Sequence, residues 1–229
     1  MATMATNLQQ VQERIARACD AAQRPVQSVT LLGVTKTVAT ETVREAHACG
    51  LRRFGENHVH EAVEKMAALA DLRPRPEWHL IGPLQSNKTR LAAERFDWVH
   101  SVDRVKVAER LSAQRPAGVA PLQVCLQVNI SGEASKSGFA PAEVAAAADA
   151  VARLPGLRLR GLMAIPRPEA EFEAQRRQHR ALRELLDKLR ARGLEQLDTL
   201  SMGMSDDLEA AIAEGATIVR VGTAIFGRR

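Results

Sequence analysis

Lys36 ends an apolar run, Val-Thr-Leu-Leu-Gly-Val-Thr-Lys, at positions 29–36. A lysine whose stem lies along apolar walls loses hydration, and burial disfavours its ammonium form. The neutral amine that results can add to a carbonyl carbon and form a Schiff base. The plainer alternative is a strand-end lysine that snorkels into water. Near the other end of the chain stands Arg220-Val221-Gly222-Thr223. Gly222 lets the backbone come close to an anion. The amides of Gly222 and Thr223 and the Thr223 hydroxyl can donate to phosphate oxygens. Ser201 and Ser205 can add two hydroxyls, the second at a helix start where the dipole favours an anion. Ordinary turn and cap chemistry is the competing explanation for these small residues.

These groups act together only if the fold gathers them. Apolar β-type runs at 29–36, 52–57, 78–82, 98–103, 122–130, 157–165, 199–204 and 217–226 alternate with helical patterns. The helices are expected at 8–22, 40–49, 58–70, 86–94, 104–114, 141–153, 169–192 and 205–214. The first helix precedes every strand. In the 169–192 helix, Phe172, Leu182, Leu185, Leu186 and Leu189 form the expected core-facing stripe. Gly50, Gly193 and Gly215 follow helices, where left-handed caps are expected. Ser205 before Asp206 and Asp207 reads as an N-cap with acids in the first turn. Eight strands alternating with helices predict an α/β protein, a (β/α)8 TIM barrel with an extra N-terminal helix. One domain over 1–229 is expected, since no linker or composition break divides the chain. An open doubly wound sheet fits less well, because no G-x-G-x-x-G follows the first strand.

In such a barrel the ligand site lies at the C-terminal strand ends, and phosphate binds after strands seven and eight. Lys36 ends the first strand, Ser201 and Ser205 flank the seventh strand end, and Gly222 and Thr223 lie on the eighth. A Schiff-base lysine plus a phosphate cradle points to pyridoxal 5′-phosphate as cofactor. Its ring nitrogen then needs a partner. Arg220 is placed for that role, and arginine only donates. The nitrogen stays unprotonated, which weakens the electron sink an acidic partner would create. The competing role for Arg220 is a buried ion pair with Glu56 or Asp103.

Composition narrows the function classes. The chain has 229 residues, 45% hydrophobic and 26% charged, with a net charge of +5. The basic residues are scattered and not interleaved with aromatics, so nucleic-acid binding is not expected. No run approaches the length of a membrane span. Cys19, Cys49 and Cys125 are widely spaced and read as thiols in a reducing compartment. The first residues lack a signal-peptide pattern, so a cytoplasmic protein is expected. His79, His100 and Asp103 lack metal-site spacing, and no metal is expected. Gly82–Lys88 lacks a phosphate-loop pattern and reads as a cap over the mouth. No large apolar stripe is left over, so a monomer is expected.

LLGVTK, FGEN, WHLIGPLQSNK, HSVD, QVNISGEASKSG, LRGLMAIP, LSMGMSDDLEAAI and VRVGTAIFG together resemble the pyridoxal phosphate homeostasis protein family, a single-domain relative of the alanine racemase N-terminal barrel. The resemblance runs in order from about Val29 to Gly227. It implies that Lys36 holds the cofactor, that Asn57 lies beside its ring, and that Ser201, Ser205, Gly222 and Thr223 belong to the phosphate region. It also implies that Arg220 faces the pyridine nitrogen and that Lys136 is a second lysine for cofactor handling. Two positions depart from the family pattern. Val38 stands where many relatives have a second lysine, and His58 where many have tyrosine.

The resemblance implies a protein that buffers pyridoxal phosphate, contributes to vitamin B6 homeostasis, hands the cofactor to apo-enzymes, and lacks robust catalysis. An amino-acid racemase is the first alternative. Two-base racemization takes its second base from a tyrosine, and this chain has none. The second alternative is a sugar-phosphate barrel enzyme using a lysine Schiff base. It gives Arg220 no clear role.

Overall fold

The computed structural model describes residues 3–133 and 136–227. Ala134 and Ser135, within the ISGEASKSG segment, lie outside the described residues, as do both terminal pairs.

Helix α1 (Met4–Ala21) leads the chain. Its buried residues Met4, Leu8, Val11, Ile15 and Ala18 recur at helical spacing on one face. Thr3 caps it by accepting the Thr6 amide at 3.2 Å. The barrel then alternates β1 (Thr30–Val34), α2 (Thr40–Ala48), β2 (Arg53–Glu56), α3 (Val59–Ala68), β3 (Glu77–Leu80), α4 (Thr89–Arg95), β4 (Trp98–Val102) and α5 (Val105–Gln114). It continues with β5 (Leu122–Gln127), α6 (Val144–Ala152), β6 (Leu157–Met163), α7 (Phe172–Ala191), β7 (Thr199–Ser201), α8 (Leu208–Ala213), β8 (Ile218–Val221) and α9 (Thr223–Phe226).

The eight strands close in sequence order, β1 through β8, and β8 pairs in parallel with β1. The expected (β/α)8 barrel with a leading helix is therefore the fold. Register places Leu32 beside Arg220 and Gly33 beside Val221, so the first and last strand ends emerge together. One core fills the space between strands and helices. A smaller cluster of Leu32, Ile81, Trp98, Cys125, Met163 and Ile218 fills part of the barrel interior. The remainder of that interior is polar. At the closed end, Arg160 lies 5.0 Å over the Trp98 ring and hydrogen-bonds Gln123 and Asp198.

Several element bounds shift by a few residues from the sequence reading, and three differences bear on the site and the core. The eighth strand stops at Val221, and Thr223–Phe226 is a short helix rather than strand. The apolar run looked continuous, but Gly222 breaks it and starts α9. Helix α8 begins at Leu208 with Asp207 as its N-cap, not Ser205. Asp207 makes no side-chain cap bond to the helix; its Oδ1 accepts the upstream Met204 amide at 2.6 Å, closing the turn that precedes α8. Phe172 is 47% exposed, outside the buried stripe of α7; its ring instead lies under the Arg176 guanidinium. Gly50, Gly193 and Gly215 do adopt left-handed conformations, with φ of 99°, 103° and 93°.

Helix α1 braces the β7–β8 side of the barrel. Asn7 donates to the Ile225 carbonyl at 3.0 Å, and Arg14 pairs with Glu209 at 2.8 Å. Arg24 donates to the carbonyls of Ile212 and Ala216. On the opposite flank of α8, the fully buried Glu214 is held by Arg176, Arg180 and Arg183 of α7, each at 2.8 Å. Among the described residues, no helix is long and apolar enough to cross a membrane.

Burial alone would raise the Glu214 pKa. The hydrogen bonds from Arg180 and Arg176 and the charge of Arg183 outweigh that and hold it below the ordinary value. A depressed carboxylate stabilises the fold fully above its unfolded pKa of about 4.3, and that contribution is lost as pH falls through the folded value. Glu214→Gln should therefore lower the urea midpoint at neutral pH. The gap to wild type should narrow as pH falls below about 4.3, the unfolded value, and through the lower folded one. An undiminished gap in acid would show that the clamp stabilises by packing alone.

Candidate functional site

The loop after β1 is fixed from below. Thr35 is fully buried; its amide donates to the Gly55 carbonyl at 2.9 Å and its hydroxyl to Glu56 Oε1 at 2.6 Å. Lys65 reaches up from α3 and donates to the Thr35 carbonyl at 2.7 Å and to Glu56 Oε1 at 2.7 Å. It also pairs with Glu61 at 3.3 Å, and Glu61 Oε1 accepts the Thr37 amide at 2.6 Å. Thr37 has φ of 57°, a left-handed conformation that side-chain-bearing residues adopt only when their surroundings impose it. The residues before and after Lys36 are thus both anchored to one Glu56–Lys65–Glu61 cluster. Burial pushes the Glu56 carboxyl up, against the lowering hydrogen bonds from Lys65 and Thr35.

Lys36 lines a cleft of about 360 Å³ with Val34, Ser205, Arg220, Gly222 and Thr223, among others. The first and last strand ends meet there, as their register requires. Lys36 itself is exposed rather than laid along apolar walls. The mouth is open at β1, and the expected desolvation is not met there. Thr223 is exposed and Gly222 half-buried. They open α9, whose first amides have no acceptor within the helix and face a ligand or water. Ser205 is half-buried, and its carbonyl accepts from Arg14 at 2.9 Å. Asp206 and Met204 also line the cleft. The sequence reading gave Asp206 only a helix-end role.

Arg220 forms the floor, 3% exposed. Its Nη1 donates to Ser201 Oγ at 2.8 Å and its Nη2 to the Ala164 carbonyl at 2.9 Å. The ion pair with Glu56 or Asp103 is not formed. Glu56 is engaged by Lys65, and Asp103 has Arg104 at 3.7 Å. Burial pulls the Arg220 pKa down to about 10, partly offset by the Asp207 charge. It remains a cation near neutral pH, packed at the bottom of a cleft.

The other expected site residues are distributed around this cleft. Ser201 is fully buried beneath Arg220 and does not line the cleft. Asn57 lies in an adjoining hollow with His58, His60 and Lys88. Gly82 presses on it so closely that a Cβ there would sit 2.4 Å from the Asn57 carbonyl oxygen. Lys136 lines a separate hollow of about 280 Å³ with Ile81, Gln127 and Asn129. Its ammonium pairs with Glu133 at 2.7 Å and donates to the Ile165 carbonyl at 3.3 Å. Val38 is buried in the core, and His58 is exposed.

The sequence reading missed Lys65 and Glu61. Their i,i+4 spacing on the helix after β2 was a legible signal for a charge pair. It missed the connection of His79 and His100 to Arg220, having weighed both only as metal ligands.

A primary amine, a buried guanidinium and the amides of a helix start share one cleft. They match a small molecule bearing a carbonyl, a ring acceptor and a phosphate.

Fold and cleft together define a barrel of the alanine racemase N-terminal type. The profile described as "Alanine racemase, N-terminal domain" matches residues 6–229. The chain belongs to the pyridoxal phosphate homeostasis protein family. It is 62% identical over 229 residues to the pyridoxal phosphate homeostasis protein of Pseudomonas aeruginosa, covering 100% of this chain and 97% of that one. It is 51% identical over 230 residues to the Escherichia coli K12 protein of that name, covering 100% and 98%. The structure of PipY from Synechococcus elongatus with PLP bound is similar at a TM-score of 0.82 and 40% identity, covering 95% of this chain and 100% of that one. An alanine racemase of Clostridium difficile shares the fold at a TM-score of 0.73 and 13% identity, with 95% of this chain matching 56% of that one.

Lys65→Met should leave Glu56 buried without its cation. Breaking a buried pair in this way costs about 3–5 kcal/mol. Urea unfolding checks the loss, and a change below about 1 kcal/mol would mean that Glu56 protonates at little cost.

Proposed function

We propose that this protein binds pyridoxal 5′-phosphate in the cleft between the β1 and β8 strand ends and holds it as a Schiff base with Lys36. The cofactor's aldehyde supplies the electrophile for that bond. The single observation that carries the reading is the convergence of Lys36, Arg220, Gly222 and Thr223 on one cleft. Gly222, Thr223 and Ser205 receive the phosphate, and Arg220 donates to the ring nitrogen. Ser201 acts from below, by fixing Arg220. Asn57 borders the ring side from its own hollow. Lys136 is a separate lysine, suited to receive or release the cofactor outside the main cleft.

The reading places the protein in intracellular vitamin B6 homeostasis, as a cytoplasmic carrier without robust catalysis. Two features of its chemistry support that. A guanidinium beside the ring nitrogen does not surrender a proton, so the ring remains a weak electron sink. The chain also holds no tyrosine, which removes the usual second base for racemization. Apo-forms of pyridoxal-phosphate enzymes are the recipients this reading implies. The names of the relatives and the PLP-bound PipY structure support the cofactor assignment.

The test is visible absorbance of the purified protein with added pyridoxal phosphate, then borohydride reduction and peptide mapping. A pyridoxyl group on Lys36 is expected. Lys36→Ala should lose the reducible adduct while keeping weak binding. A protein that stays colourless sinks the reading, and an adduct on Lys136 alone moves the site to the other hollow.

Thr223→Val should weaken cofactor retention by about fivefold, the equivalent of one hydrogen bond of about 1 kcal/mol. Its urea midpoint should hardly move. Equal retention would remove the Thr223 hydroxyl from the phosphate site.

A further inference from the structure

Beneath Arg220 an unbroken chain of side chains crosses the barrel interior. Arg220 Nη1 lies 2.8 Å from Ser201 Oγ, and Ser201 Oγ lies 2.7 Å from His100 Nδ1. His100 Nε2 lies 2.8 Å from His79 Nδ1, and His79 Nε2 lies 2.8 Å from Glu77 Oε1. Ser201, His100 and His79 are all at most 1% exposed. Glu77 is the first residue of β3, so its half-exposed carboxylate sits at the end of the barrel opposite the cleft.

The two ends determine the direction of every bond between them. A carboxylate only accepts and a guanidinium only donates. Glu77 therefore takes a proton donated by His79 Nε2. A neutral imidazole carries one proton, so His79 Nδ1 must accept, and His100 Nε2 must donate to it. His100 Nδ1 is then the acceptor for the Ser201 hydroxyl. The Ser201 oxygen is left with lone pairs, which receive the Arg220 N–H. Burial holds the pKa of both histidines below the ordinary value, most strongly at His100. The hydrogen bond from His79 keeps Glu77 below the usual carboxylate range.

We propose that Glu77, His79, His100 and Ser201 form a one-way positioning relay that orients the Arg220 guanidinium for the ring nitrogen of the bound cofactor. The relay rests on the functional reading above for its ligand and on the protein alone for its direction. Aligned hydrogen bonds in a low-dielectric interior polarise one another, so the remote carboxylate reinforces the charge placed under the ring. Without His100 as acceptor, the Ser201 hydroxyl turns to another partner and Arg220 loses a fixed contact.

Two measurements separate the relay from the ligand. Long-range proton–nitrogen NMR on the cofactor-free protein reads the tautomers. Both histidines should be neutral at about pH 7, protonated on Nε2 and bare on Nδ1. A proton on Nδ1 of either ring overturns the relay, whatever the cofactor does.

The second measurement loads pyridoxal phosphate carrying a nitrogen-15 label in its ring. In His100→Leu the ring-nitrogen resonance should move from its wild-type position. Release of the cofactor should become about fivefold faster, as expected for one weakened hydrogen bond. His100→Asn returns a carbonyl acceptor to Ser201 and should restore both values in part. Glu77→Met, at the half-exposed end, removes the acceptor that fixes the proton on His79 Nε2, should admit the other His79 tautomer, and tests the relay if His100→Leu does not fold. A folded His100→Leu with unchanged resonance and release overturns the positioning role. Wild-type protein that takes up no labelled cofactor overturns the functional reading and the cofactor-directed role with it, while the tautomers still decide the relay's direction.

Discussion

Everything in the site depends on keeping one cation buried at the centre of the barrel. An unpaired guanidinium out of water is costly. Arg220 is nonetheless 3% exposed, and among the described residues no carboxylate lies within ion-pair distance of it. Its solvation comes instead from an oriented serine hydroxyl and a backbone carbonyl. That arrangement leaves the positive charge available at the floor of the cleft. A direct carboxylate partner would have neutralised it. The polar interior of the barrel follows from this requirement, as does the histidine pair stacked among Trp98 and its neighbours.

The two walls of the cleft are held by different means. On the β1 side, a buried charge cluster fixes the backbone around Lys36 and leaves the side chain itself exposed. Under the proposed function, a firmly held backbone would keep the Lys36 amine in place for an incoming aldehyde. On the β8 side, Gly222 ends the strand and opens α9, while α1 ties α8 and α9 down through Arg14 and Asn7. The leading helix is thus part of the support for the β8 side of the cleft. Four register pairs, from Thr30–Ile218 to Gly33–Val221, join the two walls below the cleft.

Much of this was legible in the chain. The alternation of runs gave the barrel, and strand-end positions brought Lys36, Gly222 and Thr223 together. Resemblance singled out Asn57 and Lys136, which the fold assigns to separate hollows. What the sequence hid was mostly direction. Ser201 and Ser205 look alike in the chain. Ser201 points into the barrel as a β7 residue, whereas Ser205 lies beyond the strand in the loop that borders the cleft. His79 and His100 are 21 residues apart, and no local pattern links them. Only closure of the barrel sets them 2.8 Å apart. The Val221–Gly222 boundary was hidden because Thr-Ala-Ile-Phe reads as strand by composition, and a single glycine turned it into a helix start.

The same physics bears on why a racemase-type barrel would serve as a carrier. A strong electron sink at the ring would activate the bound amino acid or amine, and a carrier that did so would consume what it meets. In the proposed complex, arginine at the ring nitrogen would restrain this by donating without protonating. That restraint is only as firm as the guanidinium's placement, since a displaced Arg220 would leave the nitrogen to water and to stray protons. A hydrogen-bond chain anchored at the far end of the barrel makes the placement independent of what enters or leaves the mouth. The cleft can then stay open enough to exchange its ligand while the charge beneath it stays fixed.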